Sequence, residues 1–116
     1  MKNNLSDRLE DFAVEVIKLA GKLQRTFVGR HIAGQLVRSA TSAGANYEEA
    51  CSGESRSAFI HKLQIVLKEL RESLYWLRLT SRSDLISEEE ATPLLKEGKE
   101  LANIVAKSVV TAKKNR

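Results

Sequence analysis

The chain of 116 residues has little of what marks a disulfide-stabilised, zinc-binding or many-turned β protein. It contains one cysteine, Cys51, so no disulfide can form within the chain and a multi-cysteine zinc site is excluded. We expect the Cys51 side chain to be buried or half-buried. One proline and six glycines are too few for a β fold with many turns. This shortage of turn-forming residues favours helices.

Long apolar runs are also absent. No segment approaches the ~20 apolar residues that a membrane-spanning helix needs. The first residues, MKNNLSDRLEDF, lack the apolar centre of a secretory signal peptide. We therefore expect a cytoplasmic protein without membrane contact, and a single cysteine agrees with a reducing compartment.

Basic residues are unevenly distributed along the chain. The formal net charge is +4, yet residues 1–100 hold all fifteen acidic residues and fifteen of the nineteen basic ones. The whole excess therefore comes from Lys107, Lys113, Lys114 and Arg116. A second block, residues 16–47, contains no acidic residue and carries Lys18, Lys22, Arg25, Arg30 and Arg38. These two blocks are the candidate basic surfaces.

Four segments repeat apolar residues at the spacing of an amphipathic helix. The predicted helices span about 5–24, 31–50, 57–80 and 87–113. The predicted turns are Thr26–Arg30, Cys51–Arg56 and Ser81–Ile86. Because helices joined by short turns pack as antiparallel neighbours, the sequence predicts an all-α, up-down-up-down four-helix bundle that forms a single domain over residues 1–116.

Local signals predict where two of these helices begin. Ser55 or Ser57 is expected to cap the third helix, and Ser87 with Glu90 fits the capping-box pattern at the start of the fourth. Pro93, at the sixth position of the fourth helix, removes a backbone hydrogen bond. We expect a kink there, or a separate turn before the main helix.

The second and third helices carry unusual side chains. Residues 39–45 are seven consecutive small residues, which would let a neighbouring helix approach closely. Gly44 costs about 1 kcal/mol of helix propensity against alanine, so we expect close packing to compensate. Tyr75 and Trp76 are adjacent on the third helix and therefore point in different directions. One of them is expected to leave the interior for an interface.

Few residues could carry catalysis or bind a metal. The candidates are His31, His61, Glu48, Glu49 and Cys51, and none of them stands at a metal-ligand spacing. The chain also lacks the Glu-x-x-His pattern of di-iron bundles and any glycine-rich phosphate loop. We therefore predict no catalytic residue, no metal, no cofactor and no small-molecule substrate.

Three ordered segments carry a family resemblance: Gln35–Ala50 (QLVRSATSAGANYEEA), Ser57–Leu63 (SAFIHKL) and Leu67–Leu77 (LKELRESLYWL). They resemble the four-helix-bundle family of 23S rRNA intervening-sequence proteins, once labelled ribosomal protein S23, and the resemblance extends over nearly the whole chain. It implies an antiparallel bundle and a ring-like homo-oligomer, with a pentamer as the first expectation. Related proteins are accessory factors of diversity-generating retroelements, in which a basic oligomer binds nucleic acid and a reverse transcriptase.

The chain departs from the family pattern in the second helix. Ala43-Gly44 stands where many members have an isoleucine-proline pair, and Glu49-Ala50 where they have glutamate-glycine. Arg38, Asn46 and Glu49 fall on motif positions and can lie on one side of the second helix. Since buried polar groups must be satisfied, we predict a structural polar network that locks this helix to a neighbouring helix or subunit.

Two functional hypotheses follow. In the first, the protein is a non-enzymatic oligomeric accessory protein that binds RNA or DNA, because a ring repeats the basic residues in every subunit. The candidate contacts are Lys18, Lys22, Arg25, Arg30, Lys107, Lys113, Lys114 and Arg116. The predicted oligomer-interface residues are Tyr47, Tyr75 and Trp76. In the second hypothesis, the protein is an interaction scaffold without nucleic-acid contact, in which Tyr75, Trp76 and the small-residue surface of the second helix build the subunit contacts or receive a partner. For a lone subunit, solvated charges and a frayed tail are the favoured explanation of the basic blocks.

Overall fold

A computed structural model describes residues 4–53 and 55–115. Their helices are α1 (Leu5–Gly21), α2 (Phe27–Ala50), α3 (Arg56–Arg82) and α4 (Glu88–Lys114), and these residues contain no strand. Each helix packs against the next along the chain, and α1 also contacts α4. The fold confirms the predicted all-α four-helix architecture, and the helix contacts agree with the up-down order.

The first connection lies earlier in the chain than predicted. α1 ends at Gly21 and α2 begins at Phe27, so Thr26–Arg30 is not a turn. Thr26 is the N-cap of α2, and its hydroxyl accepts a hydrogen bond from the Gly29 N–H at 2.9 Å. A Cβ on Gly29 would lie 2.1 Å from the carbonyl oxygen of Leu23. Gly29 is therefore needed for close packing in the first turn of α2, and it does not mark a helix boundary.

The predicted caps of α3 and α4 are present. Ser55 caps α3, because its hydroxyl accepts from the Ala58 N–H at 3.1 Å. At α4, the Ser87 hydroxyl accepts from the Glu90 N–H at 3.1 Å, and the Glu90 carboxylate accepts from the Ser87 N–H at 3.1 Å. These reciprocal bonds form the capping box.

Pro93 does not interrupt α4. The helix continues through this residue from Glu88 to Lys114, so the predicted separate turn is wrong. Both Pro93 and Glu89 are exposed, and proline at position 93 leaves the Glu89 carbonyl without its helical N–H partner. An exposed position thus makes proline tolerable inside the helix.

The centre of the bundle is mostly apolar, and its fully buried polar side chains in the described residues are Ser39, Ser73 and Thr80. The most deeply buried large side chains are Leu9, Phe12, Val16, Leu36, Leu63, Val66, Leu70, Leu77, Leu101 and Val105. Ser39 of α2 and Ser73 of α3 are fully buried, with their hydroxyl oxygens 2.8 Å apart. Each hydroxyl also lies within hydrogen-bonding distance of a carbonyl of its own helix, so the pair is satisfied.

The small-residue segment of α2 is only partly explained by close packing. Ala40 and Ala43 are fully buried, like Ser39. Gly44 differs, because a Cβ there would lie 3.9 Å from the Leu9 Cβ, which is an ordinary contact. The expectation that Gly44 is compensated by an unusually close approach is therefore wrong.

Candidate interaction surfaces

Polar side chains of α2 and α3 form a connected network along one face of the bundle, which we call the α2/α3 seam. Its members are Arg38, Ser42, Asn46, Glu49, Lys62, Glu69 and Glu72. The Arg38 guanidinium lies 2.5 Å from a Glu72 carboxylate oxygen and 3.3 Å from a Glu69 oxygen. Only 8% of Glu69 is exposed, so this carboxylate depends on the nearby cation.

The other half of the seam is centred on Lys62. Its ammonium lies 2.5 Å from a Glu49 carboxylate oxygen and donates to the side-chain oxygen of Asn46 at 3.5 Å. Asn46 in turn donates to the Ser42 hydroxyl at 3.0 Å, and that hydroxyl donates to Glu69 at 3.5 Å. The structure therefore brings Arg38, Asn46 and Glu49 into one chain of contacts that joins α2 to α3.

Aromatic rings continue from the seam towards the start of α2; we call His31, Tyr75, Trp76 and Phe27 the aromatic cluster. The Trp76 ring packs edge-to-face with both neighbours, its centroid lying 5.0 Å from that of Tyr75 and 6.0 Å from that of His31. The Trp76 N–H donates to Glu72 at 3.0 Å. This bond and the larger effect of Arg38 hold the pKa of the Glu72 carboxyl below its usual range.

The two members of the Tyr75-Trp76 pair have different surroundings. Tyr75 is 48% exposed, whereas Trp76 is half-buried against the core. Tyr75 is thus the one that leaves the interior, as expected of one member of the pair.

Phe27, one helical turn before His31, is 78% exposed.

Tyr47 lies far from this cluster. It is sixteen residues beyond His31 on α2, or ~24 Å along the helix axis. It is half-buried beside Cys51, and burial together with a hydrogen bond to Cys51 raises the pKa of Tyr47 to about 12. Cys51 itself is exposed, contrary to expectation, because α2 ends at Ala50 and Cys51 stands at its C-cap.

Four arginines gather where the turns 22–26 and 83–87 meet. We call this the arginine end, and its residues are Arg25, Arg30, Arg78 and Arg82. Within residues 4–53 and 55–115, none of the four forms an ion pair with a carboxylate. Tyr75, Arg78, Leu79, Arg82 and Ser83 line a shallow groove of about 470 Å³ there.

Two of the predicted basic residues are already neutralised. Lys18 pairs with Glu15 at 3.4 Å, and Lys22 pairs with Glu90 at 2.5 Å. Arg78 and Arg82, by contrast, were not among the predicted contacts, although neither pairs with a carboxylate in the part of the chain that the structure describes. The spacing of Tyr75, Arg78 and Arg82 on one exposed side of α3 is the sequence signal that could have identified them.

The second basic block lies at the opposite end, where α3 begins and α4 ends. We call this the lysine end, and its residues are Lys107, Lys113 and Lys114. All three are exposed, and no ion pair involves them in the part of the chain that the structure describes. Arg116 lies outside the described residues. The two basic blocks therefore form separate surfaces of one subunit.

Comparison with known proteins identifies the family. Residues 1–107 match the sequence model described as 23S rRNA-intervening sequence protein. The chain belongs to this family. It is also similar to a solved structure, described as a protein of unknown function from the S23 ribosomal protein family of Bacteroides thetaiotaomicron VPI-5482, with 35% identity and a TM-score of 0.84. That match covers 91% of this chain and 98% of the other, and no curated protein matches.

Two further kinds of site are absent from the described part of this 23S rRNA-intervening sequence family member. No group of three or more His, Cys, Asp or Glu side chains in residues 4–53 and 55–115 is placed to hold a metal ion. None of the four helices is apolar enough over a sufficient length to cross a membrane, within the same residues. The surfaces that remain are the seam, the aromatic cluster and the two basic ends.

Proposed function

We propose that the protein is a non-enzymatic, homo-oligomeric accessory protein that binds RNA or DNA through its arginine end. The observation that carries this proposal is a group of four exposed arginines, none of which forms an ion pair with a carboxylate of the described residues, beside a groove lined by Tyr75. Guanidinium groups bind phosphate oxygens through paired hydrogen bonds. Because these arginines are not committed to internal ion pairs, binding phosphate breaks no such pair.

Oligomerisation makes this surface strong enough to matter. A single subunit offers four such cations, whereas a ring repeats them in every copy, and affinity rises with each phosphate neutralised. Exposed apolar side chains support self-association: Val14, Ile17 and Val28 are 41%, 50% and 52% exposed. A pentamer is the first expectation, and the mass of the native complex tests it.

Binding is tested with labelled RNA and DNA oligonucleotides in a mobility-shift assay over a salt series. The informative variant is the Arg78→Gln/Arg82→Gln double substitution, and its control is Lys113→Gln/Lys114→Gln, which removes the same charge at the lysine end. We expect the arginine variant to weaken binding at least tenfold. The slope of the logarithm of the binding constant against the logarithm of the salt concentration should become shallower by roughly 0.7–0.9 per lost phosphate contact. The affinity of the lysine variant should stay within about twofold of the wild-type affinity, because a distant charge is screened by salt.

Two outcomes would contradict the proposal. Failure of the wild-type oligomer to bind any nucleic acid at low salt rejects nucleic-acid binding altogether. Equal losses in the two double variants reject the arginine end as the site.

The second candidate function is a protein-interaction scaffold without nucleic-acid contact. The 78% exposure of Phe27 favours it, because large apolar side chains are enriched in protein interfaces. Pull-down from cell extract with and without nuclease separates the two functions. A partner retained after nuclease treatment, together with no oligonucleotide binding, supports the scaffold.

A further inference from the structure

We propose that the aromatic cluster is a stacking platform for unpaired bases, so that the ligand of the arginine end is single-stranded nucleic acid. This inference rests on the proposed function and adds the class of ligand to it. The rings of Phe27 and His31 lie one turn apart on α2, and those of Trp76 and Tyr75 continue the row onto α3. Unpaired bases stack on such rings whatever their sequence.

The ring geometry leaves flat surfaces available. Tyr75 meets Trp76 at an interplanar angle of 72°, and Trp76 meets His31 at 82°. These contacts are edge-to-face, so no two of these rings cover each other face to face. With 48% of Tyr75 and 78% of Phe27 exposed, both side chains present area on which a base can stack.

Trp76, on which Tyr75 and His31 pack, is also held in place before any ligand binds. Trp76 donates its N–H to Glu72, and Glu72 is fixed by Arg38 through the α2/α3 seam. A surface that is already ordered loses less conformational entropy on binding than a mobile one. The seam thus supports the platform as well as joining the helices.

The neighbouring cations favour a strand whose bases are accessible. Arg78 and Arg82 are four residues apart on α3, ~6 Å along the helix axis, and share the groove with Tyr75. In a duplex the bases are already stacked and paired, so the rings could contact them only after costly unpairing. A single strand can place phosphates on the arginines and a base on Tyr75 together.

The test uses the intact oligomer and the single tryptophan of each subunit. Trp76 lies inside the cluster, so its fluorescence reports binding directly. The protein is titrated with a single-stranded DNA or RNA oligonucleotide and with the corresponding duplex at equal ionic strength. We expect the single strand to quench the emission and to bind at least tenfold more tightly than the duplex.

Variants separate stacking from charge. Tyr75→Ala should weaken single-strand binding about tenfold and leave duplex binding unchanged, whereas Tyr75→Phe, which keeps the ring, should retain wild-type affinity. Val110→Ala removes another exposed apolar side chain, 54% exposed near the lysine end, and should change neither affinity. Far-ultraviolet circular dichroism and native mass accompany each variant.

Three results would overturn the platform. They are equal affinity for single strand and duplex, wild-type binding by Tyr75→Ala, and a smaller oligomer in Tyr75→Ala, which would make the cluster a subunit interface. If the wild type binds nucleic acid and Arg78→Gln/Arg82→Gln weakens it while Tyr75→Ala does not, only this inference fails. If no nucleic acid binds, the proposed function fails as well.

Discussion

The two ends of the bundle both carry unpaired positive charge, but they differ in what surrounds it. At the arginine end, the exposed rings of Tyr75 and Phe27 lie on the helices that carry the arginines. At the lysine end, the rings near the lysines, Phe59 and Tyr47, are half-buried. Charge alone makes the ends look equivalent, whereas ring exposure separates a surface suited to nucleotides from a generally cationic one.

The largest expected difference between the ends is in backbone packing. Gly29→Ala should destabilise the protein by about 3 kcal/mol, since the new Cβ would overlap a backbone oxygen that no side-chain rotation can move. Gly53, on the α2–α3 connection, has φ +90° but open space around it. Gly53→Ala should cost only about 1 kcal/mol of conformational strain. Urea unfolding of both variants measures the two values, and equal losses would contradict the comparison.

The second prediction concerns the α2/α3 seam, which connects the region near the lysine end with the aromatic cluster. Arg38→Ala leaves the buried Glu69 carboxylate without its cation, so we expect a loss of about 2 kcal/mol. Asn46→Ala should cost less, because it removes hydrogen bonds that are only partly buried. Thermal unfolding and native mass are measured together. If both variants keep the wild-type melting temperature and oligomer mass, the seam is not structural.

Much of the fold could be predicted because its signals are local. The Ser87 and Glu90 capping box depends on residues three apart, and apolar periodicity within each segment predicts four helices. The start of α2 was misplaced because Gly29 was interpreted as a turn residue. Its role depends on the Leu23 carbonyl across the connection, and only the folded backbone brings the two together.

The basic surface was less predictable because charge pairing is not local. Lys22 is neutralised by Glu90, which is 68 residues away in sequence, so the acid-free block 16–47 gave no indication of it. Arg78 and Arg82 were left out of the predicted contacts for the opposite reason: acidic residues such as Asp84 lie close to them in sequence, although no described carboxylate pairs with them. By contrast, Arg38, Asn46 and Glu49 share one helix face, which helical spacing could predict.

The third prediction compares the caps at the two ends. Ser87→Ala breaks the capping box of α4 at the arginine end, and Ser55→Ala removes the single cap bond of α3 at the other end. Each should cost about 1 kcal/mol, with the larger loss at Ser87, where the Glu90 side chain also loses its bond to the hydroxyl. Ser57→Ala measures how much of the Ser55 loss comes from the contact between the two hydroxyls, which lie 3.3 Å apart, and not from the cap bond itself. A greater loss of unfolding free energy in Ser55→Ala than in Ser87→Ala would contradict this prediction.

The smallest expected effect is the pH dependence of the arginine end. The bond from Lys22, and then the Ser87 N–H, hold the pKa of the Glu90 carboxyl below its ordinary value. A carboxyl whose pKa is lower in the folded state stabilises the protein at neutral pH, and this contribution disappears as pH falls from the ordinary carboxyl range through the folded pKa. Glu90→Gln removes the charge and keeps an oxygen that can accept the cap bond.

Thermal unfolding of wild type and Glu90→Gln between pH 7 and pH 3 measures this contribution. The wild type should melt slightly higher at pH 7, and the two curves should converge in acid, because a protonated Glu90 no longer differs in charge from glutamine. Glu88→Gln, in the same helical turn but without an ion pair in the described residues, provides the control for net charge. The result would be contradicted if the difference in melting temperature between wild type and Glu90→Gln stayed constant with pH, or if Glu88→Gln showed an equal difference. Either outcome would show that the Lys22 contact at the arginine end contributes no specific stability.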